Sequence, residues 1–256
     1  MSIDFVVPKE VELPILLDEL RKLSWASADV LMAYARGGDP PYGFPKSLTV
    51  EEGGDGPVSA ADMAVNELLI SGLKDNLAFK EWDILSEETS KEKTFQQDNY
   101  KKDWCWILDP LDGTKDFLQG SENYAVHIAL AYKKKPRIGI VLIPEKNELW
   151  FGIVGIGAWF ENRDGSKNHF SFSDRLDISK LILVSSKNHQ QSKLNNLLST
   201  LCFGETKKIG SVGCKVASIL RGEADVYISL SGKTSPKDWD MAAPHALIEA
   251  AGGMIS

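Results

Sequence analysis

The chain concentrates its candidate chemistry in one short run, Trp106-Ile107-Leu108-Asp109-Pro110-Leu111-Asp112-Gly113-Thr114. An apolar strand signal stops at an acid, a proline, a second acid and a glycine. Asp109 and Asp112 are therefore expected on a turn at the mouth of a strand, just ahead of a helix. Oxygen ligands on a rigid corner suit a hard cation such as Mg²⁺, which keeps several waters and shares its shell with substrate phosphates. Free N–H groups at the start of the following helix would face an anion. Asp109 directly follows a Trp/Ile/Leu strand, where an uncompensated buried charge is costly.

Two further acidic positions end apolar elements: Leu85-Ser86-Glu87-Glu88, and Asp238-Trp239-Asp240-Met241-Ala242-Ala243-Pro244. Each has a structural alternative. An acid in the first turn of a helix complements the helix dipole, and a Glu87-Glu88 pair reads locally as surface. A fourth element, Gly56-Pro57-Val58-Ser59-Ala60-Ala61-Asp62, reads first as a capping box with Asp in place of Glu. The four histidines, His127, His169, His189 and His245, are scattered and read as structural.

These positions need a scaffold. Val11, Ile15, Leu16, Leu20, Leu23, Val30 and Leu31 fall at helical spacing, so one or two amphipathic helices are expected over 10–36, ending at Gly37-Gly38. Residues 37–57, rich in glycine and proline, predict a loop with a short hairpin. Ser59 is placed to cap a helix running to about residue 79. Strands are expected at 82–85, 104–108, 123–132, 137–144, 147–153 and 157–160, with a polar connection over 89–103. Lys133-Lys134-Lys135-Pro136 reads as a solvated turn. From residue 180 the pattern alternates: strand 181–185, helix 190–200, helix 214–221, strand 225–230, helix 239–251. This predicts an α+β part over 1–175, carrying most of the acids, and a smaller α/β part over 176–256.

The 256 residues are 43% hydrophobic and 25% charged, ordinary for a globular enzyme, and the net charge is −7. That balance argues against a nucleic-acid polymer or an anionic membrane as partner. A small anionic substrate remains compatible, because a bound metal reverses the local sign. Three cysteines, Cys105, Cys202 and Cys214, without a CxxC pair predict neither a disulfide framework nor a zinc site, and fit a reducing cytoplasm. No signal peptide is expected at the N-terminus, and no window reaches the roughly 18 apolar residues of a membrane span.

Together the three acidic motifs resemble the inositol monophosphatase superfamily of Mg²⁺-dependent, lithium-sensitive phosphatases. The likeness runs from about residue 10 to the end. It implies a layered α-β-α-β-α sandwich of the inositol monophosphatase and fructose-1,6-bisphosphatase type. It also implies two Mg²⁺ ions, the first on Glu87, Asp109 and the Leu111 carbonyl, the second on Asp109, Asp112 and Asp240. A weaker third would bind through Glu87 and water. Gly113 and Thr114 N–H groups would receive the phosphate. Thr114, polarised by Asp62, would orient or deprotonate the attacking water, with Glu88 as helper. Two cations sharing a carboxylate neutralise the phosphoryl oxygens and stabilise the leaving alkoxide.

The segment Lys115-Asp116-Phe117-Leu118 is similar to the 3′(2′),5′-bisphosphate nucleotidase branch. That likeness implies hydrolysis of the 3′-phosphate of 3′-phosphoadenosine 5′-phosphate (PAP) or its sulfated form (PAPS), with Lys115 assisting a second phosphate. Gly210-Ser211-Val212-Gly213-Cys214-Lys215 resembles that branch's nucleotide-contacting segment, which makes Ser211 and Lys215 substrate candidates. The enzyme rivals are inositol-1-phosphate and fructose-1,6-bisphosphate hydrolysis. The non-enzyme rival is a metal- or phosphate-binding pseudoenzyme. A homodimer is a further expectation from the superfamily. Ser59 replaces the family's usual Thr, and Glu51-Glu52 lies where a lysine is common. The family continues beyond Gly252-Gly253 with further strands, so the resemblance predicts an exposed edge in the second sheet and one substrate wall fewer.

Overall fold

The computed structural model describes residues 7–8, 11–53, 56–76, 82–91, 102–187, 198, 200–229 and 236–255. The N-terminal periodicity becomes one helix, α1 (Leu13–Ala35), burying Leu16, Leu20, Leu23, Leu31 and Tyr34 along one stripe. It stops where expected. Gly37 takes φ +64°, and the N–H groups of Gly37 and Gly38 donate to Tyr34 O and Ala33 O at 3.2 and 2.8 Å. That left-handed ending satisfies carbonyls which would otherwise lack partners.

The predicted hairpin follows as β1 (Val50–Gly53) and β2 (Gly56–Ser59), antiparallel, leading into α2 (Ala60–Asn76). Then come β3 (Asp83–Ser86), α3 (Glu87–Lys91), β4 (Trp104–Asp112) and α4 (Thr114–Leu118). The strands β5 (Ala125–Tyr132), β6 (Lys135–Ile143), β7 (Glu148–Ile153), β8 (Gly157–Glu161) and β9 (Lys167–Asn168) complete a seven-stranded sheet in sequential order. The β3–β4 pair is parallel and the rest antiparallel. Beyond it, β10 (Ile182–Ser186), β11 (Glu205–Ile209) and β12 (Val226–Tyr227) form a parallel sheet ordered β11-β10-β12. The helices α5 (Val212–Leu220) and α6 (Asp238–Ala250) follow β11 and β12. The helix expected over 190–200 lies largely outside the described residues, as does most of the 89–103 connection.

Both faces of the large sheet are covered, which is why its strands read as apolar at nearly every position. Trp106, Leu108, Val126, Ile128, Leu130, Ile138 and Ile140 pack against α1 and α2. The alternate positions Cys105, Ile107, Ala129, Ala131, Val141 and Trp150 pack against α5 and α6. Small residues let α6 lie directly on the sheet. A Cβ on Gly139 would overlap the Ala243 carbonyl, and one on Gly152 would overlap the Leu247 backbone. Overpacking of this kind destabilises by about 1–3 kcal/mol or more. Gly152→Ala is therefore expected to lower the denaturation midpoint with an unchanged denaturant slope. A midpoint equal to wild type would contradict the close seating of α6. Since α6 carries Asp240, the same contact fixes one wall of the site.

Candidate active site

Asp109 and Asp112 are not on a turn, as their sequence suggested. β4 continues through both of them. Asp109 pairs with His127 and Asp112 with Ala125, so three steps along β4 oppose two along β5. This is a β-bulge with Pro110-Leu111 inside it. Without the extra residue, side chains three apart would point to opposite faces. With it, both carboxylates turn toward α5 and α6. Gly113 then takes φ +95° and ψ 35° to open α4. A Cβ there would meet Asn123 O at 3.0 Å and Ser211 Cβ at 3.3 Å, so both conformation and space select glycine.

The three acids Asp109, Asp112 and Asp240 bring one carboxylate oxygen each within 4.8 Å of one another. Asp240 sits in the first turn of α6 and accepts the Lys237 N–H at 2.6 Å. Glu87 opens α3 beside them, and its charge raises the carboxyls of Asp109, Asp62 and Asp240. Glu88, next to it, is buried. Asp109 is fully buried. Its Oδ1 accepts the Leu111 N–H at 3.1 Å, whereas Oδ2 has no hydrogen-bond partner among the described residues.

The electrostatics follow from this crowding. Burial, then the charges of Glu87, Asp112 and Asp240, hold the Asp109 carboxyl well above the ordinary range. Burial and Asp112 push Asp240 up to about 6. Burial also raises Asp62, against its hydrogen bonds from Ser59 and Thr114. Burial opposes ionisation of Asp112 as well, but His127, Lys215 and the Ser211 hydroxyl outweigh it and hold the carboxyl below the ordinary range. A buried oxygen without a partner, amid carboxylates that raise one another, is what a divalent cation would relieve. The donor set is all oxygen, which fits Mg²⁺ better than Zn²⁺.

A second group flanks the acids. Asp62 Oδ2 accepts the Ser59 N–H at 2.7 Å and the Ser59 hydroxyl at 2.5 Å. The capping box is thus half formed, because the hydroxyl turns to the acid and not to the helix backbone. Asp62 Oδ1 lies 2.9 Å from Thr114 Oγ1, which also reaches Leu111 O at 3.1 Å. A hydroxyl has one proton, so these two acceptors compete for it.

The remaining sequence candidates are placed differently. Lys115 is exposed on α4. Ser211 is buried. It donates to Asp112 Oδ2 at 2.5 Å and accepts the Cys214 N–H at 3.0 Å, so its hydroxyl orders an acid and caps α5. Lys215 is 1% exposed. Its Nζ donates to Gly210 O at 2.8 Å and stands 5.0 Å from the Tyr227 ring centre. Burial lowers its pKa, while Asp112, Cys214 and Asp240 oppose the shift, so the ammonium serves as a counter-charge to the acid cluster. Burial pushes the Cys214 thiol up to about 12, which makes it inert as a nucleophile.

Three contributors escaped the sequence reading. His127 stands 3.2 Å from Asp112 Oδ2. Asp116 is fully buried, and Lys187 Nζ donates to it at 3.1 Å. Lys187 also reaches Gln119 Oε1 at 3.2 Å, which puts a further cation beside α4. The available signal was a polar ring within the alanine-rich face of β5, and an acid one turn into a helix that otherwise buries Phe117.

A bulged acidic strand end, an acidic helix start and an Asp–Thr pair thus bring a cluster of acids beside a hydroxyl, an arrangement suited to phosphate chemistry. The chain belongs to the inositol monophosphatase family, whose sequence model matches residues 18–256. Among its relatives is the 3′(2′),5′-bisphosphate nucleotidase CysQ of Escherichia coli O157:H7, 30% identical over 240 residues, covering 94% of this chain and 89% of that protein. CysQ of Salmonella typhimurium is 32% identical over 201 residues, covering 78% and 76%. The solved CysQ from Bacteroides thetaiotaomicron superimposes with a TM-score of 0.70 at 25% identity, over 94% of this chain and 89% of that one. A Thermotoga maritima inositol monophosphatase shares the fold with a TM-score of 0.72 at 22% identity, over 93% and 84%. The chain is accordingly a phosphatase with the α-β-α-β-α sandwich of this family. Among the described residues no helix is long and apolar enough to cross a membrane.

Proposed function

We propose that the chain is a Mg²⁺-dependent phosphomonoesterase that removes the 3′-phosphate of PAP or PAPS. The observation that carries the metal part is the orphaned Oδ2 of Asp109 inside a buried cluster of acids. The substrate part rests on the CysQ relatives and on the cations around α4.

Glu87, Asp109 and the Leu111 carbonyl would hold one cation, and Asp109, Asp112 and Asp240 a second, with Glu87 and water as a weaker third position. The bound cations supply charge neutralisation for the phosphoryl group and for the leaving oxygen. The chain's own residues do the rest. The Leu111 carbonyl would be a ligand of the first cation, which would leave Asp62 as the acceptor for the Thr114 proton. Thr114 Oγ1 takes a proton from the attacking water as its own proton passes to Asp62 Oδ1, 2.9 Å away. Glu88 stands by as a helper. The N–H groups of Gly113 and Thr114 orient the phosphoryl oxygens. Lys115 takes the second phosphate, assisted by Lys187, while the buried Lys215 stays with the acids. Ser211 acts by holding Asp112. A homodimer is compatible with this reading and unnecessary to it.

The regiochemistry is tested by ³¹P NMR of the products from PAP, where the 3′ resonance should be lost and the 5′ resonance kept. Loss of the 5′-phosphate would overturn the substrate assignment. Lys115→Ala should reduce kcat/KM for PAP by about tenfold, as expected for loss of a charge-assisted contact. The same change should leave inositol 1-phosphate within about twofold. Equal losses on both substrates would remove Lys115 from specificity.

A further inference from the structure

We propose that His127 is a positioning residue for the metal site, fixing the spacing between Asp112 and the start of α6. The inference rests on reading Asp109, Asp112 and Asp240 as cation ligands. His127 is fully buried in β5, on a face that otherwise carries Ala125, Ala129 and Ala131. It is the register partner of Asp109. Its Nε2 lies 3.2 Å from Asp112 Oδ2, and its Nδ1 lies 3.4 Å from the carbonyl of Trp239, the residue before Asp240. A Cβ on Gly213 would overlap Nε2, so the first turn of α5 closes the ring in from the third side.

Burying an imidazole among alanines is unfavourable unless its polar atoms are engaged. Both neighbours of this ring are acceptors, the Trp239 carbonyl at Nδ1 and the Asp112 carboxylate at Nε2, so the ring is held between the two. Two donors converge on a single oxygen of Asp112, the Ser211 hydroxyl at 2.5 Å and the Gly213 N–H at 2.9 Å, and the imidazole Nε2 stands 3.2 Å from the same oxygen. One oxygen of Asp112 lies within 4.8 Å of carboxylate oxygens of Asp109 and Asp240. The other edge of the ring meets the peptide that leads into Asp240. One side chain thereby sets two of the three acids, one from β4 and one from α6. Partners that orient a metal-binding side chain typically change metal affinity by 10–100-fold.

The test is calorimetric titration of Mn²⁺, without substrate, into metal-free wild type, His127→Leu and His127→Gln. Leucine keeps the volume and removes the donor, whereas glutamine retains an N–H of similar reach. The leucine variant should bind Mn²⁺ about 10–100-fold more weakly, and glutamine should restore affinity to within about threefold of wild type. The Mg²⁺ concentration giving half-maximal turnover should rise in parallel, with KM for substrate at saturating Mg²⁺ unchanged. His127→Ala carries the same comparison should the leucine variant not fold. Wild-type-like Mn²⁺ binding by the leucine or alanine variant would overturn the role of His127 and leave the metal reading standing. Absence of Mn²⁺ binding by wild type itself would overturn the metal reading and this inference with it.

Discussion

Asp109→Asn is expected to reduce phosphate release by at least ~10³-fold, or about 4 kcal/mol of transition-state stabilisation, while leaving the fold intact. The change keeps the shape and removes the one carboxylate assigned to both cations. The same variant makes a second, opposite forecast for the metal-free protein. Asp109 is held well above the ordinary carboxylate range by burial, then Glu87, Asp112 and Asp240. A carboxyl raised in the folded state contributes stability that is fully present below its unfolded pKa, about 4, and lost as pH rises through the folded value. Asp240, raised to about 6, has the same sign. In EDTA, wild type should therefore lose unfolding temperature between about pH 4 and neutrality. Asp109→Asn should be the more stable protein at pH 7–8, with the difference shrinking toward pH 4. Thermal scans across that range check it. Mg²⁺ should restore wild type and do much less for the variant. Near-wild-type turnover by Asp109→Asn would remove the metal assignment.

Thr114→Val should cost about 10²–10⁴-fold in kcat, the usual range for loss of a proton-transfer group. Thr114→Ser should keep most of the activity. The hydroxyl lies within reach of Asp62 Oδ1 and Leu111 O, at 2.9 and 3.1 Å, and valine replaces it isosterically. Because Asp62 acts through Thr114, adding Asp62→Asn to Thr114→Val should cost little more than either change alone. Fully additive losses in that double-mutant cycle would separate the two residues. A valine variant with normal turnover would leave the Thr114 hydroxyl without a role in the chemistry.

The acids themselves were visible in the sequence, because charges that end apolar runs need a compensating partner. The end of α1 was visible for a related reason. Gly37 takes the left-handed conformation that closes the helix, and the Gly38 N–H donates back to Ala33 O. The orientation of Asp109 and Asp112 was not visible. It depends on a bulge created by pairing β4 with β5, and a three-residue spacing read alone gives a turn as readily as a kinked strand. The burial of Lys215 was hidden for the same reason. Its surroundings come from Asp112, Asp240 and Tyr227, which are brought together by the packing of α5 between the sheets. His127 lacked any sequence pattern, since its partners lie on β4 and at the start of α6. The sequence marks Ser211 as a substrate contact, and the structure sets it against Asp112. Its hydroxyl, however, is engaged by Asp112 and the α5 backbone, and it therefore acts on an acid before it acts on any ligand.

The most direct test of the central claim is inorganic phosphate release from PAP in Mg²⁺, in EDTA, and in EDTA followed by excess Mg²⁺. Inositol 1-phosphate and fructose 1,6-bisphosphate are run alongside. The account predicts release from PAP above the other two, its loss in EDTA and its return with Mg²⁺. Preference for either of the other substrates would contradict the nucleotide assignment. Release that persists in EDTA, or none from any of the three in Mg²⁺, would contradict the metal-dependent phosphatase reading of the acid cluster.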